Sequence, residues 1–372
     1  MEQKKSRQMN FELLRIISMF VIVVFHYHDW GGIVNMAGSL KNKLFGELIA
    51  IGGNLGVNLF VLISGYFLVN SKFKTKKLLK IIFEVWVYSV AIFFISWKFE
   101  FMNLGSSDLN KAILPLTNNM YWFATTYVGM YLVFPIINKL ISNINRKQYN
   151  VILVLLGIML AVIPTFVIGT RPFNGELAWF IYLYLIAGYI RKYDISVKEN
   201  KGLIFIILSI VVLMMLHSIG CTLKGIAMSE VLHLNQKNSL FTLALSIAIF
   251  MLFKNINIKE NKVIDVFSKA TFGVYLIHIN AHFRVYLFKN ILKIQNYYDA
   301  NFLILVGYVL ATSIVIYIMC TIIDTVRRKV IEEPIFKIKI FDKYFEKIDK
   351  MMDFSDKTEI KLLHEQKELQ NV

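Results

Sequence analysis

Two cysteines in 372 residues are all the thiol chemistry this chain holds. Cys221 and Cys320 fall in apolar segments expected near opposite faces of a membrane, which excludes a disulfide framework and a thiolate metal site. Acidic residues are short as well, 25 Asp and Glu against 41 Lys and Arg, for a formal charge of +16. That excess raises nucleic acid as a partner, but the cations lie between apolar runs and form no single long surface. Membrane orientation explains them, and nucleic acid is excluded. A small-residue cleavage site is missing after the first apolar run, so this run is expected to remain as a span and not leave as a signal peptide.

Apolar surface is what the chain has in abundance. Hydrophobic residues make up 56% and aromatics 14%, whereas an ordinary soluble domain is roughly 45–50% apolar; the mean hydropathy is +0.56. The expected fold is all-α, a polytopic integral membrane bundle of about ten transmembrane helices near 10–28, 45–69, 77–98, 121–141, 150–170, 176–191, 202–220, 238–254, 268–289 and 301–323. Basic clusters around Lys4, Lys72, Lys139, Arg191, Lys254 and Arg327 fall on alternate loops, so the positive-inside rule places both termini in the cytoplasm of a multi-pass cell-membrane protein. Residues 1–335 are read as the membrane domain and 336–372 as a charged cytoplasmic tail. Met351, Met352, Leu362 and Leu363 suit that tail to a short interfacial helix.

Ionisable groups inside a span are costly and usually mark function. The eleven-residue step from Arg15 to His26 returns to within about 20° of one helical face and separates the two by about 16 Å. Snorkelling of Arg15 and an interfacial His26 are the plainer alternative. A neutral imidazole is suited to take a hydroxyl proton, so His26 leads as candidate base. His278 in the ninth span is second, and His28, two residues on, points to the opposite side. Glu12, three residues before Arg15, is placed to pair with its guanidinium. His278 and His282 share a face of a continuous ninth span, but with no carboxylate nearby they argue for hydrogen bonding between spans, and no metal is expected.

The longer motifs resemble a known family. Arg15-x10-His26, followed by Gly56-Val-Asn-Leu-Phe-Val-Leu-Ile-Ser64-Gly65-Tyr66-Phe67, is similar to signatures of the acyltransferase 3 family of membrane O-acyltransferases. Lys76-Lys77-Leu-Leu-Lys80-Ile resembles the basic start of the family's third span. Tyr121-Trp122-Phe123 with Tyr131 and Pro135, Phe272-Gly273-Val274-Tyr275-Leu276-Ile277-His278, and Ile331-Glu332-Glu333-Pro334 extend the likeness over roughly residues 8–335, in the family's order. Departures are lysines at 77 and 80 where many members have arginine, Tyr127 in place of a glutamate, and Asn58 in place of an aspartate.

The resemblance implies an acyl-CoA-dependent O-acyltransferase, transferring groups other than aminoacyl groups. It would move an acyl group, acetyl foremost, from cytoplasmic acyl-CoA to a hydroxyl of a cell-surface polysaccharide or its lipid-linked precursor. His26, Arg15 and His278 are the implied catalytic residues. Lys76, Lys77 and Lys80 would meet the donor's phosphates as point charges, and Ser64 and Gly65 would let backbone approach the pantetheine arm. Partners would be the cell-envelope glycan, membrane lipid and polysaccharide-synthesis machinery. Trp122, Tyr127 and Tyr131 are expected to pack more than to touch sugar. The competing class is a transporter or flippase of a lipid-linked glycan, with Arg15, His26 and His278 along a substrate or proton path; the want of a visible inverted repeat disfavours it.

Overall fold

Outside a closed barrel, only a helix crosses lipid with its backbone groups satisfied within the segment, and the apolar runs fold accordingly. A computed structural model describes residues 8–33, 39–167, 173–224 and 232–354, and no strand occurs among them. The helices are α1 Met9–Asp29, α2 Leu40–Leu68, α3 Thr75–Lys98, α4 Ser106–Ile113, α5 Trp122–Asn143, α6 Arg146–Gly157, α7 Ile163–Phe166, α8 Glu176–Lys192, α9 Asn200–Lys224, α10 Leu240–Asn255, α11 Lys262–Lys269, α12 Thr271–His278, α13 Phe302–Arg327, α14 Glu333–Lys337 and α15 Asp342–Met351. A π-helical turn at Ile158–Val162 joins α6 to α7, and another at Arg328–Glu332 joins α13 to α14.

The polytopic helical bundle expected from the sequence is present, and its apolar helices differ in length. Among the described residues seven helices are long and apolar enough to cross a bilayer: α1, α2, α3, α5, the joined Arg146–Phe166, α9, and α13 with its continuation to Lys337. Helices α8 and α10 are shorter, at 17 and 16 residues. The run at 268–289 is not one helix at all. It breaks after His278, because the Asn280 carboxamide accepts from the His282 backbone N–H at 2.8 Å and donates to the Tyr121 hydroxyl at 2.6 Å, diverting the chain without proline or glycine. His282 therefore does not share a helical face with His278.

Helix α1 packs against α2, α10, α11, α12 and α13, so it has five helical neighbours within the bundle. Its polar Glu12, Ser18 and His26 are buried there, where hydrogen bonds can hold them. By contrast α9 turns Phe205 and Leu216 outward at 72% and 62% exposure, as a lipid-facing helix does. The seat of α1 on α2 depends on missing side chains. A Cβ at Gly56 would stand 2.6 Å from the Ser18 carbonyl oxygen, and one at Gly53 would enter the Phe25 ring.

The tail folds back on the bundle. The Asp349 carboxylate accepts from the Thr75 backbone N–H at 2.6 Å and hydroxyl at 2.7 Å, supplying the start of α3 with the anionic cap that Lys74 does not provide. Lys72 pairs with Asp353 at 2.9 Å and Lys76 with Asp342 at 3.1 Å on the same side. Lys4, Lys5, Arg7 and the tail's Leu362 and Leu363 lie outside the described residues.

Candidate active site

A cavity of about 670 Å³ runs along the buried face of α1, within the roughly 300–1,000 Å³ usual for small-molecule sites. At one end stand Glu12, Arg15, Lys77, Lys80, Arg328 and Glu332; at the other stand His26, Asp29, Trp30 and Arg284. Ser64 of α2 and the aromatics Trp122, Phe123, Tyr127 and Tyr131 of α5 line the wall between. The eleven-residue spacing thus places Arg15 and His26 toward the two ends of one passage about 16 Å long.

Hydrogen bonding assigns the protons of the histidine pair. The His278 Nδ1 lies 2.5 Å from the Val274 carbonyl oxygen, which can only accept, so Nδ1 carries the proton. In the neutral ring Nε2 is then bare, and it lies 2.8 Å from His26 Nδ1, which must donate to it. That leaves the lone pair of His26 on Nε2, the nitrogen without a protein partner, facing the cavity. A neutral imidazole held in this tautomer is a ready proton acceptor. His278 is buried behind His26 and does not line the cavity. His28 pairs with Asp29 at 2.9 Å and is absent from the lining.

The cations at the Arg15 end are not equivalent. Arg15 donates to both Glu12 carboxylate oxygens, at 2.9 and 3.1 Å, and Lys80 pairs with Glu332 at 3.1 Å. Lys77 has no carboxylate partner among the described residues and is exposed. Lys76 is engaged by Asp342 and does not line the cavity. Gly65 also lies elsewhere: a Cβ there would meet the Tyr184 Cα at 3.0 Å, so its smallness serves the packing of α2 on α8. Asn58 is a structural tie, accepting from the Trp179 indole at 2.9 Å and donating to the Lys237 carbonyl at 2.8 Å.

Sequence reasoning missed a buried ionic cluster at this end. The Arg327 guanidinium lies 3.0 Å from Asp324, 3.2 Å from Glu84 and 2.8 Å from Glu332. The Tyr88 hydroxyl donates to Asp324 at 3.0 Å, and Arg328 Nε stands 2.9 Å from the other Asp324 oxygen, an ion pair without hydrogen-bond alignment. Two motifs find their physical reason here. A Cβ at Gly273 would collide with Asp324 Oδ1, so only glycine leaves room for the carboxylate. The π turn brings Glu332 back onto Arg327, five residues earlier. The available signal was a carboxylate in an apolar run, at Glu84 and Asp324.

Among the described residues no three His, Cys, Asp or Glu side chains are grouped to hold a metal ion. Residues 10–322 match the family model described as an acyltransferase domain. No curated protein and no solved structure matches the chain.

Proposed function

Because the chain belongs to the acyltransferase 3 family and is a membrane acyltransferase, we propose that it takes an acyl group, acetyl foremost, from cytoplasmic acyl-CoA and transfers it to a hydroxyl of a cell-envelope glycan. The observation that carries this reading is the passage itself: a cavity cationic at one end with an imidazole lone pair, His26 Nε2, near the other. A thioester with a polyanionic carrier suits the first end, and a hydroxyl nucleophile the second.

In the proposed step the acceptor hydroxyl oxygen attacks the thioester carbonyl carbon while its proton passes to His26 Nε2. The C–S bond breaks, the ester forms, and the departing thiolate takes up a proton to leave as free thiol. Arg15, held by Glu12, orients the donor. Label transfer from acetyl-CoA to the envelope glycan, compared between a deletion strain and its complemented parent, tests the reading. Equal ester content in the two strains would overturn it.

Two expectations separate its parts. Lys77→Ala should raise the donor KM several-fold, with an effect that shrinks as salt screens the exposed charge, whereas Lys76→Ala, whose ammonium is engaged by Asp342, should leave the donor KM unchanged. Equal effects of the two changes would count against a donor site at Lys77. For sidedness, the alternating basic loops put the Arg15 end in the cytoplasm. Asp29→Cys and Ser71→Cys, each made with Cys221→Ser and Cys320→Ser, should react with an impermeant thiol reagent from outside and from the cytoplasm respectively. Labelling of position 29 from the cytoplasmic side alone removes the transmembrane route.

A further inference from the structure

Arg284 has no role in the transfer just described, yet it lines the same cavity at the His26 end. Its guanidinium carbon lies 3.4 Å from the centroid of the Trp30 ring, a stacked cation–π contact that fixes the plane of the group. No carboxylate among the described residues lies within ion-pair distance of it, and its Nε is enclosed without a hydrogen-bond partner. The other cations of the cavity differ: Arg15, Lys80, Lys269 and Arg328 each meet a carboxylate, and Lys77 is exposed to water. A half-buried guanidinium with unfilled donors is costly to keep, and its planar fork matches the two oxygens of a carboxylate or phosphate.

We infer that Arg284, stacked on Trp30, binds an anionic group of the glycan acceptor, a carboxylate or a phosphate, and so selects acidic over neutral sugars. This rests on the acceptor meeting His26 as proposed above. Arg284 and His26 line the same cavity, so an anion docked on the guanidinium would bring a neighbouring hydroxyl of the same sugar unit toward the imidazole.

The test measures binding to the purified full-length chain without acyl donor, using methyl β-D-glucuronide, α-D-galactose 1-phosphate and neutral methyl β-D-glucoside. The wild type should bind one of the charged sugars at least about tenfold tighter than the glucoside, as expected for a charge-assisted contact. Arg284→Gln should erase the preference, and Arg284→Lys, which keeps the charge but loses the fork, should keep part of it. The glucuronide preferred identifies a carboxylate, the phosphate preferred a phosphorylated unit. In the wild type the preferred sugar should also protect Arg284 from phenylglyoxal, a readout that needs no variant. No preference in the wild type, a full preference in Arg284→Gln, or no protection overturns the inference. Acetyl transfer is scored separately: charged-sugar preference without any transfer upholds this site and removes the acyl-transfer reading, while transfer to a neutral sugar without preference does the reverse.

Discussion

His26→Ala should leave the protein inserted and abundant but lower acyl transfer by about 10²–10⁴-fold, the usual contribution of a positioned general base. The ring is enclosed between α12 and the cavity, and its Nε2 is the basic atom that the His278 contact leaves free. Label transfer from acetyl-CoA in proteoliposomes, normalised to protein amount, measures the loss; a variant keeping more than about a tenth of the activity would sink the role. His278 gives the assignment an internal check. With His278→Leu, His26 loses the acceptor that pins its proton on Nδ1 and can place it on Nε2 instead, so kcat should fall while the donor KM stays. With His278→Gln, the side-chain oxygen can accept from Nδ1 and activity should partly return. Equal losses in the two variants would make His278 a packing residue only.

The relation of Arg15 to His26 was legible because it depends only on helical periodicity, which one helix expresses by itself. The same holds for Glu12, which pairs with Arg15 three residues away at 2.9 Å. Contacts between distant segments were not legible in this way. His26 meets His278 across 252 residues, and a base candidate in each of two spans does not say that one orients the other. The lysines at 76 and 80 looked alike in sequence, but a tail aspartate and a glutamate at the end of a π turn engage them separately. The expected ninth span is broken for a local reason that hydropathy does not register, since one carboxamide at Asn280 redirects an otherwise apolar run. Small residues in a sequence do not say what they make room for, and the structure divides the cases: Gly53 and Gly56 seat α1, Gly65 seats α8, and Gly273 makes room for Asp324.

Arg327→Ala is expected to be the most destabilising single change, costing about 3–5 kcal/mol as the loss of one partner from a buried ion cluster does. The cluster balances Glu84, Asp324 and Glu332 against Lys80, Arg327 and Arg328, and only Arg327 touches all three carboxylates. Removing it leaves three acids converging on an enclosed space, with Asp324 fully buried. Lys80→Ala should cost far less, because its ammonium is partly exposed and water can replace it at Glu332. Gly273→Ala should act on the same cluster from the other side, since the added methyl displaces the carboxylate that Arg327 and Tyr88 hold. Apparent melting temperatures of the detergent-purified variants, read by fluorescence-detected gel filtration after heating, rank the three changes. The expected order of loss puts Arg327→Ala first and Lys80→Ala last, with Gly273→Ala between. Arg327→Ala melting within a degree of wild type would mean that the carboxylates relax into water, and that the ends of α3 and α13 are held by apolar packing instead of by charge.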